Sequence, residues 1–134
     1  MPPSDDLLQR GRVAHLATAD RNGRPHVIPV CFVYGDGVIY TPLDLKPKRS
    51  TDPRHLRRVR NILVNRRAAL VVDRYDEDWT RLAYVLVEGE AELVVDADEE
   101  RRAGDRLRAK YAQYRDVPIV GIVRLRVEHV VAWP

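Results

Sequence analysis

The sequence predicts a mainly β fold, with six antiparallel strands curled into a small barrel and helices on its flank. Two tight-turn signals, Asn22-Gly23 and Gly35-Asp36-Gly37, lie between short apolar runs and join them as hairpins. Two long segments, residues 82–95 and 119–132, alternate apolar and polar side chains with the period of a strand. Hairpins imply antiparallel pairing. About six strands with one polar face are best protected by closure, which removes exposed edges.

The elements follow in order. Residues 5–10 read as a short helix and residues 13–18 as a first strand. After the Asn22-Gly23 turn, residues 26–34 form a second strand, interrupted at Pro29. Proline cannot donate to a ladder, so that point is an edge or a bulge. Residues 38–41 make a third strand, and residues 42–50, with two prolines, a loop. Thr51-Asp52-Pro53 opens a helix with a capping side chain and a proline in the first turn. Leu56, Val59 and Leu63 form its apolar stripe. Residues 68–72 are a buried strand, and residues 73–80 a polar, acidic loop that carries Trp79. In residues 82–95, Ala83, Val85, Val87, Ala91 and Leu93 face inward, while Glu88, Glu90 and Glu92 form a solvated face. Residues 96–114 are helical, with Leu107, Tyr111 and Tyr114 on one side. In the closing strand, Val123, Leu125 and Val127 alternate with Arg124, Arg126 and Glu128.

The chain has 134 residues, 45% hydrophobic and 32% charged, which suits one domain spanning residues 1–134 and excludes a disordered chain. No stretch approaches the roughly 18 apolar residues of a membrane helix, and the first residues lack a signal-peptide core. A soluble, cytoplasmic protein is expected. Cys31 is the single cysteine, so no internal disulfide forms, and it reads as a small buried hydrophobe. His15, His26, His55 and His129 show no ligand spacing, so no metal is expected.

Net charge is only +3, but the basic residues are unevenly placed. Between residues 46 and 67 stand Lys46, Lys48, Arg49, Arg54, Arg57, Arg58, Arg60, Arg66 and Arg67, offset by the single acid Asp52. Such an excess attracts phosphates or polyanions. In part it is also the solvated face of a helix. The only ring within this stretch is His55, whereas single-strand nucleic-acid binders interleave aromatics with basic groups. Nucleic acid is therefore not the expected partner.

Several runs together resemble the pyridoxamine-phosphate-oxidase-like split β-barrel family. Residues 12–18, the turn Asn22-Gly23-Arg24-Pro25-His26 and Val27-Ile28-Pro29-Val30 are similar to its opening hairpin. Residues 38–41 match its third strand and residues 57–62 its helix. Residues 68–73, followed by Tyr75-Asp76-Glu77-Asp78-Trp79, resemble the branch that uses the deazaflavin coenzyme F-420. The resemblance implies an FMN-binding type of split barrel. It also implies a homodimer and an oxidoreductase cofactor in the cleft between subunits, with basic residues on its phosphate and backbone of the second strand at its ring edge.

The FMN enzymes of this family carry a basic residue in the second strand and a Ser-Arg-Lys-like clamp after the third. Here residues 27–33 contain no basic residue, and Lys46-Pro47-Lys48-Arg49 follows the third strand. That pattern favours F-420, with its phosphodiester and glutamate tail, and leaves FMN as the alternative. The resemblance then places Lys48 and Arg49 at the phosphate, with Lys46 and Arg57 nearby. Thr41 and Pro42 close that end, and His26, Val27, Ile28, Pro29 and Val30 flank the ring. Trp79 forms an aromatic wall supplied across the dimer. The reaction implied is hydride transfer between the deazaflavin and a small organic substrate. No residue stands out as acid, base or nucleophile, and the proton comes from water or a side chain such as Tyr75. A flavin- or deazaflavin-binding protein without turnover is a further alternative.

Overall fold

The computed structural model describes residues 3–4, 6–44 and 52–134. A short helix α1 (Leu7–Arg10) leads into β1 (Ala14–Ala19), β2 (Pro25–Val30), β3 (Val33–Gly35) and β4 (Val38–Leu43). A 3-10 turn (Pro53–His55) and helix α2 (Arg57–Val64) precede β5 (Arg67–Arg74). A second 3-10 turn (Trp79–Arg81), β6 (Ala83–Leu93), helix α3 (Ala97–Lys110), a third 3-10 turn (Ala112–Arg115) and β7 (Gly121–Trp133) complete the chain. All strand pairs are antiparallel, in the order β2-β1-β5-β6-β7-β4-β3.

The edge strands of this sheet, β2 and β3, are joined by only Cys31 and Phe32. Three residue steps span at most about 10–11 Å, so the two edges must meet. The sheet is therefore curled into a split barrel, the architecture expected from the hairpins.

The sheet has seven strands because the run 26–34 is broken in two. At the break, the Phe32 N–H donates to the Tyr111 hydroxyl at 3.1 Å, and the Phe32 carbonyl accepts from Lys110 Nζ at 2.9 Å. Side chains from the end of α3 thus replace the ladder at Phe32.

Both hairpin turns form where glycine requires them. Gly23 has φ of 82°, and Asp36 and Gly37 have φ of 53° and 74°. Asp20 Oδ1 closes the first turn by accepting from the N–H of Asn22 and Arg24. At Gly89 the need is different. The β6–β7 register shifts there, and an added Cβ would lie 1.8 Å from the Arg126 carbonyl oxygen. Only glycine admits this close backbone approach.

The barrel interior holds Leu16, Phe32, Ile39, Leu70, Val87 and Leu125, with Val59 and Ile62 of α2 packed against them. A second cluster lies under α3, where Ala103, Leu107 and Tyr111 cover Val33, Val94 and Ile122. Each fully buried aliphatic side chain contributes roughly 1.5–3 kcal/mol. The α3 helix is tied down by polar contacts as well. Tyr40 donates to Glu99 at 2.6 Å, and Arg124 bridges Glu99 and Glu92.

The apolar stripe of α2 differs from the expected one. Val59 is buried and Leu56 half-buried, but Leu63 is 55% exposed and Ile62 takes its place. Buried Asn61 also faces inward and donates to Thr18 Oγ1 at 3.0 Å. At 100° per residue the buried arc is centred between Arg58 and Ile62, which puts Leu63 about 120° away. Likewise the helical run 96–114 gives way at Tyr111, whose extended backbone ends α3 before the 3-10 turn.

Candidate functional site

The end of β2, the end of β4, α2 and the 3-10 turn after α3 converge on a hollow of about 220 Å³. Its walls include Pro29, Val30, Cys31, Pro42, Arg58 and Tyr114, with Asp44 at the rim. A second hollow of about 340 Å³ adjoins it, sharing Cys31, Asp44 and Tyr114 and adding Arg12 and Gln113.

Arg58 gives the first hollow its chemistry. It stands at the centre of the inward arc of α2, where a charged residue is costly unless paired. Its Nε is buried and has no hydrogen-bond partner among the described residues. Burial lowers its pKa, and the nearby Asp44 carboxylate only partly offsets this. An incoming anion would supply the missing acceptor. The residues present therefore fit the anionic end of a flavin-type cofactor.

Tyr114 donates to Asp44 Oδ2 at 3.2 Å. Burial, Cys31 and Asp44 together push the Tyr114 hydroxyl far above its ordinary pKa. Its hydroxyl is held as a donor to Asp44. His26 lies in the same electropositive corner, where burial and the cations of Arg57 and Arg58 hold its imidazole below the ordinary value.

The expected site residues are placed as follows. Pro29, Val30 and Pro42 line the first hollow. The strand pleat divides the run at β2. His26, Ile28 and Val30 are less exposed, while Val27 and Pro29 turn outward. As a terminal strand of the sheet, β2 leaves one backbone edge unpaired by any other strand. The same alternation turns Thr41 to the barrel interior with Ile39 and Leu43, and its neighbour Pro42 lines the hollow. Arg57 is exposed, whereas Arg58, one position on, reaches the hollow. Lys46, Lys48 and Arg49 lie outside the described residues.

Trp79 is 68% exposed, in the 3-10 turn before β6, and does not line the Arg58 hollow. With Tyr75, Tyr84, Trp133, His15 and Val71 it lines an open groove of about 780 Å³. The groove continues into a row, apolar but for His15, fixed by register: Pro29 faces His15, His15 faces Val71, Val71 faces Leu86, and Leu86 faces Val131. One row thus crosses five strands of the outer surface.

Arg58, Arg12 and Tyr114 escaped the sequence reading. For Arg58 a signal existed: it falls only about 40° from Ile62 on the helical wheel, so its charge is on the core side. For Arg12 and Tyr114 only the fold brings them together.

The model of the pyridoxamine 5'-phosphate oxidase family matches residues 4–134. The chain belongs to the pyridoxamine 5'-phosphate oxidase family. Its split barrel is the fold of that family. Among curated proteins none matches the chain. Several solved structures share the fold. A heme binding protein from Mycobacterium smegmatis is 20% identical, with a TM-score of 0.77 over 98% of this chain and 52% of its own. An FAD-binding protein from Mesorhizobium loti is 21% identical, with a TM-score of 0.68 over 95% and 88%. The heme storage protein HutZ from Vibrio cholerae is 16% identical, with a TM-score of 0.69 over 91% and 84%. At these identities the likeness is one of fold. No helix among the described residues is long and apolar enough to cross a membrane.

Proposed function

We propose that this chain is a flavin-class oxidoreductase that holds the anionic end of its cofactor at Arg58 and works as a homodimer. The observation that carries this reading is the partly dehydrated guanidinium of Arg58, with a buried donor and no acceptor, at the mouth of a hollow lined by Pro29, Val30 and Pro42. Charge-assisted hydrogen bonds to phosphate are strong, and a guanidinium fork suits them. The family match supports FMN as the cofactor. F-420 is the second reading, favoured by Lys46, Lys48 and Arg49 after the third strand and by the absence of a basic residue in residues 27–33.

When bound, such a cofactor supplies hydride transfer to or from a small organic substrate. The chain supplies position. Arg58, with Lys48 and Arg49, anchors the anionic end. The unpaired backbone edge of β2 near Pro29 meets the ring edge. The second copy packs on the apolar row through Val71, Leu86 and Val131, excludes water and brings its Trp79 against the ring. Fixing donor and acceptor in contact is then the main catalytic contribution.

Parallel titration of the purified protein with FMN and F-420 tests the proposal. Binding of at least one in the micromolar range or tighter is expected. Failure of both at tens of micromolar refutes the proposal. Tight binding without turnover of any electron acceptor would leave a cofactor-binding protein and remove the enzyme.

A further inference from the structure

Two cations beyond Cys31 have no carboxylate partner among the described residues. The Arg12 guanidinium lies 4.8 Å from the centroid of the Tyr111 ring. Lys110 Nζ donates to the Phe32 carbonyl and sits 3.9 Å above the Phe32 ring. Carbonyl oxygens and ring faces hold a cation in place but do not neutralise it. Burial first, and then the Arg12 charge, bring the Lys110 pKa down to about 8.

Arg12 borders the larger hollow, together with Gln113 and Tyr114. That hollow shares three residues with the Arg58 hollow, so cationic groups stand on either side of the shared wall. The one carboxylate lining either hollow, among the described residues, is Asp44, and it accepts a hydrogen bond from Tyr114. The balance favours an anion at each end.

We propose that the Arg12 hollow is a second anion subsite, which takes a carboxylate or phosphate of the same ligand whose first anionic group is held at Arg58. This rests on the proposed function and deepens it. It selects a ligand with two separated anionic groups. F-420, with a phosphodiester and tail carboxylates, meets that requirement. FMN has one terminal phosphate and uses the Arg58 hollow alone.

The test is the affinity of the wild-type chain and of Arg12→Gln, Arg12→Lys and Arg58→Met for F-420 and FMN, read by equilibrium fluorescence. Arg12→Gln should weaken F-420 at least tenfold and FMN less than twofold. Arg12→Lys should recover most of the F-420 loss, while Arg58→Met weakens both ligands. Arg12 is exposed, so these variants should fold; matching circular dichroism checks this. Equal effects of Arg12→Gln on the two ligands, or no effect on F-420, overturns the second subsite and leaves the proposed function standing. A wild-type chain that binds FMN but not F-420 overturns the second subsite as well. Failure to bind either ligand overturns both readings.

Discussion

Replacing Arg58 by methionine should change two properties in opposite directions. In the free protein the guanidinium is largely buried and its Nε lacks an acceptor among the described residues. An unsatisfied buried donor costs about 1–3 kcal/mol. Methionine keeps an aliphatic stem against the hollow and removes that donor. The free variant should therefore match the wild type or exceed it by up to about 1 kcal/mol, roughly 3–4 °C in Tm for a chain of this length. Ligand binding should move the other way. Loss of a hydrogen bond to a charged group costs about 1.5–3 kcal/mol, or about 12- to 160-fold in Kd. Thermal melts of both proteins, with and without FMN or F-420, read the two effects together. A variant that is clearly less stable alone, yet binds either ligand as tightly as the wild type, would refute the assignment of Arg58 to an anion.

Three further outcomes are expected. Gly89→Ala forces a methyl against the Arg126 carbonyl oxygen in the β6–β7 pair. It should cost about 3 kcal/mol or more, seen as a Tm fall of about 10 °C. Lys110 tests the pH dependence. Its folded pKa, about 8, lies below the ordinary lysine value of 10.5. The unfolded chain therefore binds more protons between these values, and stability from this group rises with pH across that window. Relative to Lys110→Met, the wild type should gain on the order of 1 kcal/mol between pH 7.5 and 10 by urea unfolding, since solvent access screens the rest. Finally, Lys48→Ala should weaken cofactor binding by about 1.5–3 kcal/mol, whereas exposed Arg66→Ala changes little; equal losses would point to a generic basic patch.

Much of the fold was legible because its signals are local. Asn22-Gly23 and Asp36-Gly37 carry their turns in their own backbone preferences, and both have the positive φ those turns need. Alternation in residues 82–95 placed Val85 and Val87 inside and Glu88 outside. The break at Phe32 was not legible, because its peptide is satisfied by Tyr111 and Lys110, far along the chain. The walls of the candidate site were legible where they follow the strands, since Pro29, Val30 and Pro42 come together in one hollow. They were not legible where one residue decides the face. The strand pleat sends Thr41 inward and Pro42 to the hollow, and the phase of α2 exposes Arg57 and turns half-buried Arg58 to the hollow. A charge count sees a basic run in residues 54–60, whereas only the helix phase separates its solvated members from the one that is dehydrated.

The shared-site picture is tested most directly by a charge placed in the apolar row. Leu86→Lys sits between Val71 and Val131 on the outer face and leaves the Arg58 hollow intact. Sedimentation equilibrium with FMN or F-420 present should show a dimeric wild type that binds ligand and a monomeric variant that has lost it. A wild type that sediments as a monomer, or a monomeric variant that binds the ligand at full strength, would contradict a cofactor held between two copies.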